Sequence, residues 1–245
     1  MTEKSISAYN NAERAKRYDA DMDLWHPNRH KMVDVAIGVL PYGKWDHLSV
    51  LDLGIGTGFF TWRFLQHYPE ATVIGVDGSE AMIHIAKSRL EKFSSKIQYI
   101  NVGFANIENE ISNDIEFDVV ISMYSLHHLD VKRKKQLFSF IVSRLRVGGW
   151  FLNADVIISP FSDIENRIQE VRINDIKERN KGSDPRFTTS AKIRAFIDQL
   201  AKNENDNLLT LDQDLAIMRE AGISNATVFW QEYREVVYGG TKTSS

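Results

Sequence analysis

Short apolar runs recur along the first two thirds of the chain: SVLDLG (Ser49–Gly54), TVIGVD (Thr72–Asp77), IQYINVG from Ile97, FDVVISMY from Phe117 and WFLNADVII from Trp150. Segments of mixed polarity and helical period separate them. TWRFLQHY (Thr61–Tyr68) stops before Pro69, SEAMIHIAKSRLEKF follows the second run, and VKRKKQLFSFIVSRL has Asp130 at its start as an N-cap. Runs short enough to be buried strands, alternating with helices, predict a parallel, doubly wound α/β sheet.

The alternation breaks after Ser159. Residues 159–207 are strongly polar, with helical stretches at Ile164–Ile176 and Ala191–Leu200, and Ile164, Ile168, Val171 and Ile176 fall near one helical face. The segment reads either as an insertion over the carboxyl edge of the sheet or as an ordinary packed helical pair. TLDQDLAIMREAGI predicts a helix ending at Gly222, and ATVFWQEYREVVYGG a long final strand or hairpin. The tail TKTSS is expected to fray.

Composition narrows the chemistry. With 30 Lys+Arg against 33 Asp+Glu, the net charge of -3 argues against a broad nucleic-acid footprint. The one dense basic run, KRKK at Lys132–Lys135, lies on an amphipathic helix and reads as a solvated face. There is no cysteine, hence no disulfide, thiolate nucleophile or cysteine metal site. No run reaches the roughly 18 to 20 apolar residues of a membrane span, and the polar N-terminus lacks a signal-peptide core. The expectation is a soluble, cytoplasmic protein. His26 and His30 are spaced like ligands on one helical face, but Pro27 interrupts them, so no metal site is expected.

The stretch VLDLGIGTGFF (Val50–Phe60) carries the chemistry. Glycines at the carboxyl end of a strand let the backbone approach a ligand closely. A dinucleotide fingerprint spaces them G-x-G-x-x-G; here Phe59 stands at the third position and the spacing is G-x-G-x-G. Asp52 beside the loop would repel a pyrophosphate and suits a ligand with a positive centre. Asp77, at the tip of the second strand, has the acceptors to hold both hydroxyls of a ribose; it also reads as a cap for the following helix.

Taken in order, VLDLGIGTG, VIGVDGSEAMI, FDVVISMYSLHHLD and RLRVGGWFLNADVI resemble the class I S-adenosylmethionine-dependent methyltransferases, over residues 48–158 and on to the final strand pair. The resemblance implies a Rossmann-like, seven-stranded, mostly parallel sheet with an antiparallel C-terminal strand. It implies one methyltransferase domain over 1–245: an N-terminal helical cover (1–45), a cofactor-binding core (46–158), a helical insertion (159–207) and a C-terminal helix with strands (208–240). It implies S-adenosyl-L-methionine as cofactor, with Gly54, Gly56 and Gly58 against its methionine part, Asp52 orienting that loop, Asp77 on the ribose, and Gly78 and Met82 beside the adenine. Where the family often has Gly-Asp-Ala, this chain has Gly103-Phe104-Ala105-Asn106, so Phe104, Ala105 and Asn106 share the adenine assignment. Val147 likewise replaces the usual proline.

Ser122 and the segment to His128 would lie beside the cofactor. The resemblance favours His127 at the pocket edge, with Asp155 facing the acceptor or capping its strand. Tyr9 and Tyr18 of the cover would face inward, with Trp25 and His26 at the acceptor entrance. The expected activity is methyl transfer to a small-molecule acceptor, catalysed by His127, Asp155 and Tyr18. Three alternatives remain at this point. One is a relative of the carboxy-S-adenosylmethionine synthases of tRNA modification, using Arg186 or Arg194 for the extra carboxylate. Another is a non-catalytic binder of the nucleoside, and the third a nicotinamide enzyme, which Phe59 disfavours. Monomer and homodimer both stay open.

Overall fold

The computed structural model describes residues 3–204 and 206–243. Ser244 and Ser245, part of the tail expected to fray, lie outside them. The core is a seven-stranded sheet built from β1 (Ser49–Leu53), β2 (Thr72–Asp77), β3 (Ile97–Asn101), β4 (Phe117–Met123), β5 (Leu145–Val156), β6 (Thr227–Glu232) and β7 (Glu235–Thr241). Their order is β3-β2-β1-β4-β5-β7-β6. The first five strands pair in parallel, and β7 is antiparallel to both β5 and β6. The sheet expected from sequence is the sheet observed, and its final segment is a hairpin.

Period-two alternation explains why both faces are covered. Leu51, Leu53, Val120, Phe151 and Tyr238 join one apolar layer with Leu137, Phe138 and Ile141 of α6 (Val131–Arg144) and Leu215 and Met218 of α9 (Leu211–Ala221). Their neighbours Val50, Val119, Ile121, Leu152 and Val237 face the other layer, with Met32, Val33 and Ala36 of α3 (Arg29–Gly38) and Phe60, Phe64 and Leu65 of α4 (Phe59–His67). Between β2 and β3 lies α5 (Glu80–Arg89), capped by Ser79, whose side chain accepts the Met82 amide. Strand order reverses between β1 and β4, and the carboxyl ends there form the crevice in which ligands bind in such sheets.

Helices close that crevice from two directions. The N-terminal cover supplies α1 (Glu3–Tyr9) and α2 (Ala12–Trp25); the segment after β5 supplies α7 (Ser162–Asn180) and α8 (Ser190–Glu204). They share a small apolar core of their own, in which Ile173, Ile176, Phe187 and Ile193 pack with Leu24 and Trp25. Polar links reinforce it: Arg17 pairs with Asp184, Arg186 with Asp21, Arg14 with Glu204, and Arg179 donates to the Leu24 carbonyl.

Two readings of helical faces need correction. Ile164 is half exposed, and the buried stripe of α7 runs instead through Gln169, Ile173, Ile176 and Asn180, because α7 turns these toward α2 and α8. The KRKK run is not wholly solvated. Lys134 faces the sheet, fully buried, and pairs with Asp214 of α9 at 2.7 Å, while Lys135 pairs with Glu220 at the surface.

Candidate active site

The glycine loop begins where β1 ends. Gly54 has φ +79°, and a Cβ there would lie 2.1 Å from Ser125 Oγ, so no other residue fits. Gly58 starts α4 at φ +77°, where a Cβ would lie 2.7 Å from Leu90. A side chain there is excluded by packing against Leu90 and Ala86, and Gly58 borders neither of the two cavities over the loop. Between Gly54 and Gly58 the Gly56 amide points to Asp77, whose Oδ2 accepts it at 2.9 Å; Oδ1 accepts the Ser79 amide at 2.8 Å.

Two adjoining cavities open over this loop. One, about 30 Å3, is bordered by Tyr9, Tyr18, Asp77, Met82, Ser125 and His128. The other, also about 30 Å3, is bordered by Asp52, Thr57, Phe59, Arg29 and Met22, and the two share Tyr18, Gly54, Gly56, Met123 and Tyr124. Tyr9 and Tyr18 thus face inward as expected, their rings in edge contact at 5.9 Å.

Burial sets the charge of the two loop-side acids. Asp52 is pushed up to about 7 by burial, against the Thr61 hydroxyl that donates to it at 2.5 Å. Asp77 is pushed up to about 6, again by burial, with the Ser79 and Gly56 amides pulling the other way. Both acids sit with spare acceptor capacity beside empty space, and a cationic or hydroxyl-bearing ligand favours their ionised forms.

On the other side of the crevice, the turn Leu126–His128 is a single 3-10 turn, on which consecutive side chains diverge. His128 borders the cavity; His127 does not, which corrects the expectation for His127. His127 turns instead to Asp155, its Nδ1 2.6 Å from Oδ1, while Asp155 Oδ2 accepts the Leu126 and His127 amides at 3.1 and 3.2 Å. Burial would strip the His127 proton, but Asp155 outweighs burial and holds it above the ordinary range. His128 is pushed down to about 4 by burial and by His127 beside it, so it is neutral at pH 7. Its Nδ1 lies 3.0 Å from Asp206, and its Nε2 is buried without a partner among the described residues.

Other sequence-derived assignments fall differently. Ser122 donates to the Leu53 carbonyl at 2.9 Å, fully buried, so it ties β4 to β1 and does not reach the cavity. Gly78 meets Ile6 of α1, whose Cδ1 would be 2.5 Å from an added Cβ. Phe104 is buried with its ring tip toward Gly54, and with Ala105 and Asn106 it borders a separate open groove shared with Lys4 and Arg133. Trp25 packs against Phe187 and Phe196 within the cover and not at an entrance. His26 pairs with Glu235 at 2.9 Å, while His30 is exposed near Asp23, so the two share no ligand position. Arg186 is held by Asp21 and Asp184 and has no free fork for a carboxylate.

Two groups were not foreseen, and a third, Tyr124, was expected only as part of the Ser122–His128 segment. Asp19 of α2 accepts from Thr57 at 3.0 Å and from Arg29 and Arg89, fastening the cover onto the glycine loop. Tyr124 borders both cavities with φ +48°, an uncommon conformation for a bulky residue, and donates to Glu235 at 2.7 Å. Asp206 meets both histidines. In sequence only Tyr124 carried a signal, its place directly after a buried strand; the others depend on contacts between distant segments.

Residues 50–149 match a family model described as a methyltransferase domain. Carboxy-S-adenosyl-L-methionine synthase of Nautilia profundicola is 23% identical over 89% of this chain and 88% of its own length. An O-methyltransferase family protein from Burkholderia thailandensis superposes over 96% of this chain and 61% of its own, with a TM-score of 0.67 at 15% identity. Phosphoethanolamine N-methyltransferase 2 of Haemonchus contortus, solved with S-adenosyl-L-methionine, superposes over 93% of this chain and 46% of its own, with a TM-score of 0.62 at 16% identity. The chain therefore spans less than two thirds of either solved structure. Sheet, switch-point crevice and glycine loop define a nucleoside-binding transferase fold. Residues 50–149 carry a methyltransferase domain, the surrounding fold is that of S-adenosylmethionine-dependent methyltransferases, and S-adenosylmethionine is the cofactor.

Proposed function

We propose that the protein transfers the methyl group of S-adenosylmethionine to a compact, small-molecule acceptor bound beneath the helical cover. The observation that carries this reading is the pair of adjoining, half-open cavities between the glycine loop and Tyr9, Tyr18 and Tyr124. A cleft roofed by the N-terminal helices suits a small ligand held mostly out of water, as small-molecule sites usually are. Asp77 takes the ribose hydroxyls, Asp52 the charge of the methionine ammonium, and Met82 and Phe104 the apolar surface of the adenine. Tyr18 and His128 are the groups that touch the acceptor. His127 and Asp155 act behind them as positioning residues.

In-line displacement from a sulfonium draws much of its acceleration from alignment, for which effective molarities of about 10⁵ M and above are known. The cover supplies that alignment and excludes water. His128, neutral at pH 7, is a hydrogen-bonding group for the acceptor. The relation to the carboxy-S-adenosylmethionine synthase extends over most of the chain, but its added carboxylate calls for a free cation. Among the described residues bordering the two cavities the arginine is Arg29, already paired with Asp19 and Asp23, which favours the unmodified cofactor.

The test is transfer of labelled methyl from S-adenosylmethionine to a small-molecule extract and, in parallel, to bulk tRNA. Label is expected in the low-mass fraction, and its loss in the Asp77→Ala variant. Label appearing in tRNA alone would overturn the small-acceptor reading.

A further inference from the structure

Beside the acceptor side of the cavity, His127, His128, Glu204 and Asp206 bring four ligand atoms within 4.8 Å of one another. Small side-chain movements would bring these atoms to the spacing of a coordination sphere. His127 Nε2 lies 3.7 Å and His128 Nδ1 3.0 Å from the same oxygen, Asp206 Oδ1. Donors about 2.1 Å from a tetrahedral centre stand about 3.4 Å apart. The two histidines, although adjacent in sequence, present their rings 4.0 Å apart, and both are buried.

The surroundings are arranged as around a metal. Asp155 grips the far nitrogen of His127, so Nε2 is the atom turned toward Asp206, the carboxylate–histidine–metal arrangement in which an outer acid fixes ring orientation. Glu204 is oriented by the Tyr9 hydroxyl at 2.8 Å and by Arg14. The Asn207 amide donates to the His127 carbonyl at 2.7 Å, which holds the segment carrying Asp206 against the histidine turn. As a purely structural ion-pair cluster this would be overbuilt, since Asp206 and Asp155 both compete for His127.

We propose that these four residues form a binding site for one divalent transition-metal cation of the zinc class. Two imidazoles with two carboxylates suit zinc, cobalt or iron(II) better than magnesium or calcium, which favour all-oxygen shells. Because Tyr9 and His128 also border the cavity, the cation would stand at its edge, its tetrahedral shell completed by the four side chains. Uptake requires each ligating nitrogen without its proton, so binding releases protons.

The test uses tag-free protein stripped with a chelator, titrated with Zn2+ against a competing dye and, separately, with Co2+ while its visible spectrum is recorded. One equivalent of Zn2+ and the intense visible bands of low-coordinate Co2+ are expected. Asp155→Asn, outside the ligand set, should weaken Zn2+ about 10- to 100-fold, and Asp206→Asn by more. Absence of saturable one-to-one binding by the wild type would overturn the proposal. So would unchanged affinity in a folded Asp206→Asn variant, with His128→Gln as the substitute should that variant fail to fold. Neither readout requires methyl transfer, so the site and the proposed reaction stand or fall separately.

Discussion

Asp77 and Asp155 are both buried, both at or near the carboxyl end of a parallel strand, and they behave in opposite ways. Asp77 ends β2, takes two backbone amides, keeps acceptor capacity toward a cavity, and is pushed up to about 6 because burial outweighs those amides. Asp155 lies near the end of β5, where burial also pushes upward, but His127 more than offsets it and holds the carboxyl below its usual range. One acid awaits a partner from outside the protein; the other already has an internal one. Strand-end position alone does not separate a ligand-binding acid from a strut. The neighbouring turn does, through whether it offers the acid a cation.

Removing each acid sharpens the contrast. Asp77→Ala should lower affinity for S-adenosylhomocysteine at least 100-fold in calorimetric titration, since two charged hydrogen bonds of about 1.5 to 3 kcal/mol each are lost. An affinity within tenfold of wild type would erase the distinction. Asp155→Asn should instead destabilise the fold by about 3 kcal/mol, the scale for breaking a buried pair. That corresponds to a fall of roughly 6 to 12 °C in melting temperature for a chain of this size, with cofactor affinity changed less than about threefold.

The smallest effect lies in pH. Folded-state values of about 7 for Asp52 and about 6 for Asp77 exceed the ordinary aspartate value, so the ligand-free fold binds these protons more tightly than the unfolded chain does. Their stabilising contribution is complete below about pH 4 and is lost progressively as pH rises from about 4 to the folded values near 6 and 7. Scanning calorimetry of ligand-free protein should show the melting temperature falling over that window, and falling less in Asp52→Asn. Cofactor affinity should rise over the same window. A melting curve of Asp52→Asn that tracks wild type would remove Asp52 from this account.

The sequence was most legible where structure is local. The alternating apolar runs located every strand of the sheet, and the glycine spacing located the loop, because strands, turns and helix starts are fixed by neighbouring residues. Around the cavity, legibility ended. Nothing near His127 and His128 in sequence tells which of them Asp155 captures, since that depends on β5 lying beside β4. Ser122 was assigned by position along a strand, whereas its hydroxyl is fixed by the facing strand β1. Lys134 looked like one more surface lysine because its partner, Asp214, lies 80 residues away. In α7 an expected apolar face was displaced by Gln169 and Asn180, because polar contacts and not apolar area alone decide which side of a polar helix is buried.

The place of β7 has a consequence for how the chain is made. The strand synthesised after all the others lies inside the sheet, between β5 and β6, and its Tyr238 hydroxyl joins Asn153 of β5 to Asp214 of α9. Until residue 241 has left the ribosome, β5 presents an open apolar edge and β6 has nothing to pair with. Nascent chains stalled before β7 should therefore be protease-sensitive and prone to capture by chaperones. The crevice cannot be finished in the order in which its parts are translated: the glycine loop emerges early and waits for the hairpin that brings Glu235 to Tyr124 and His26.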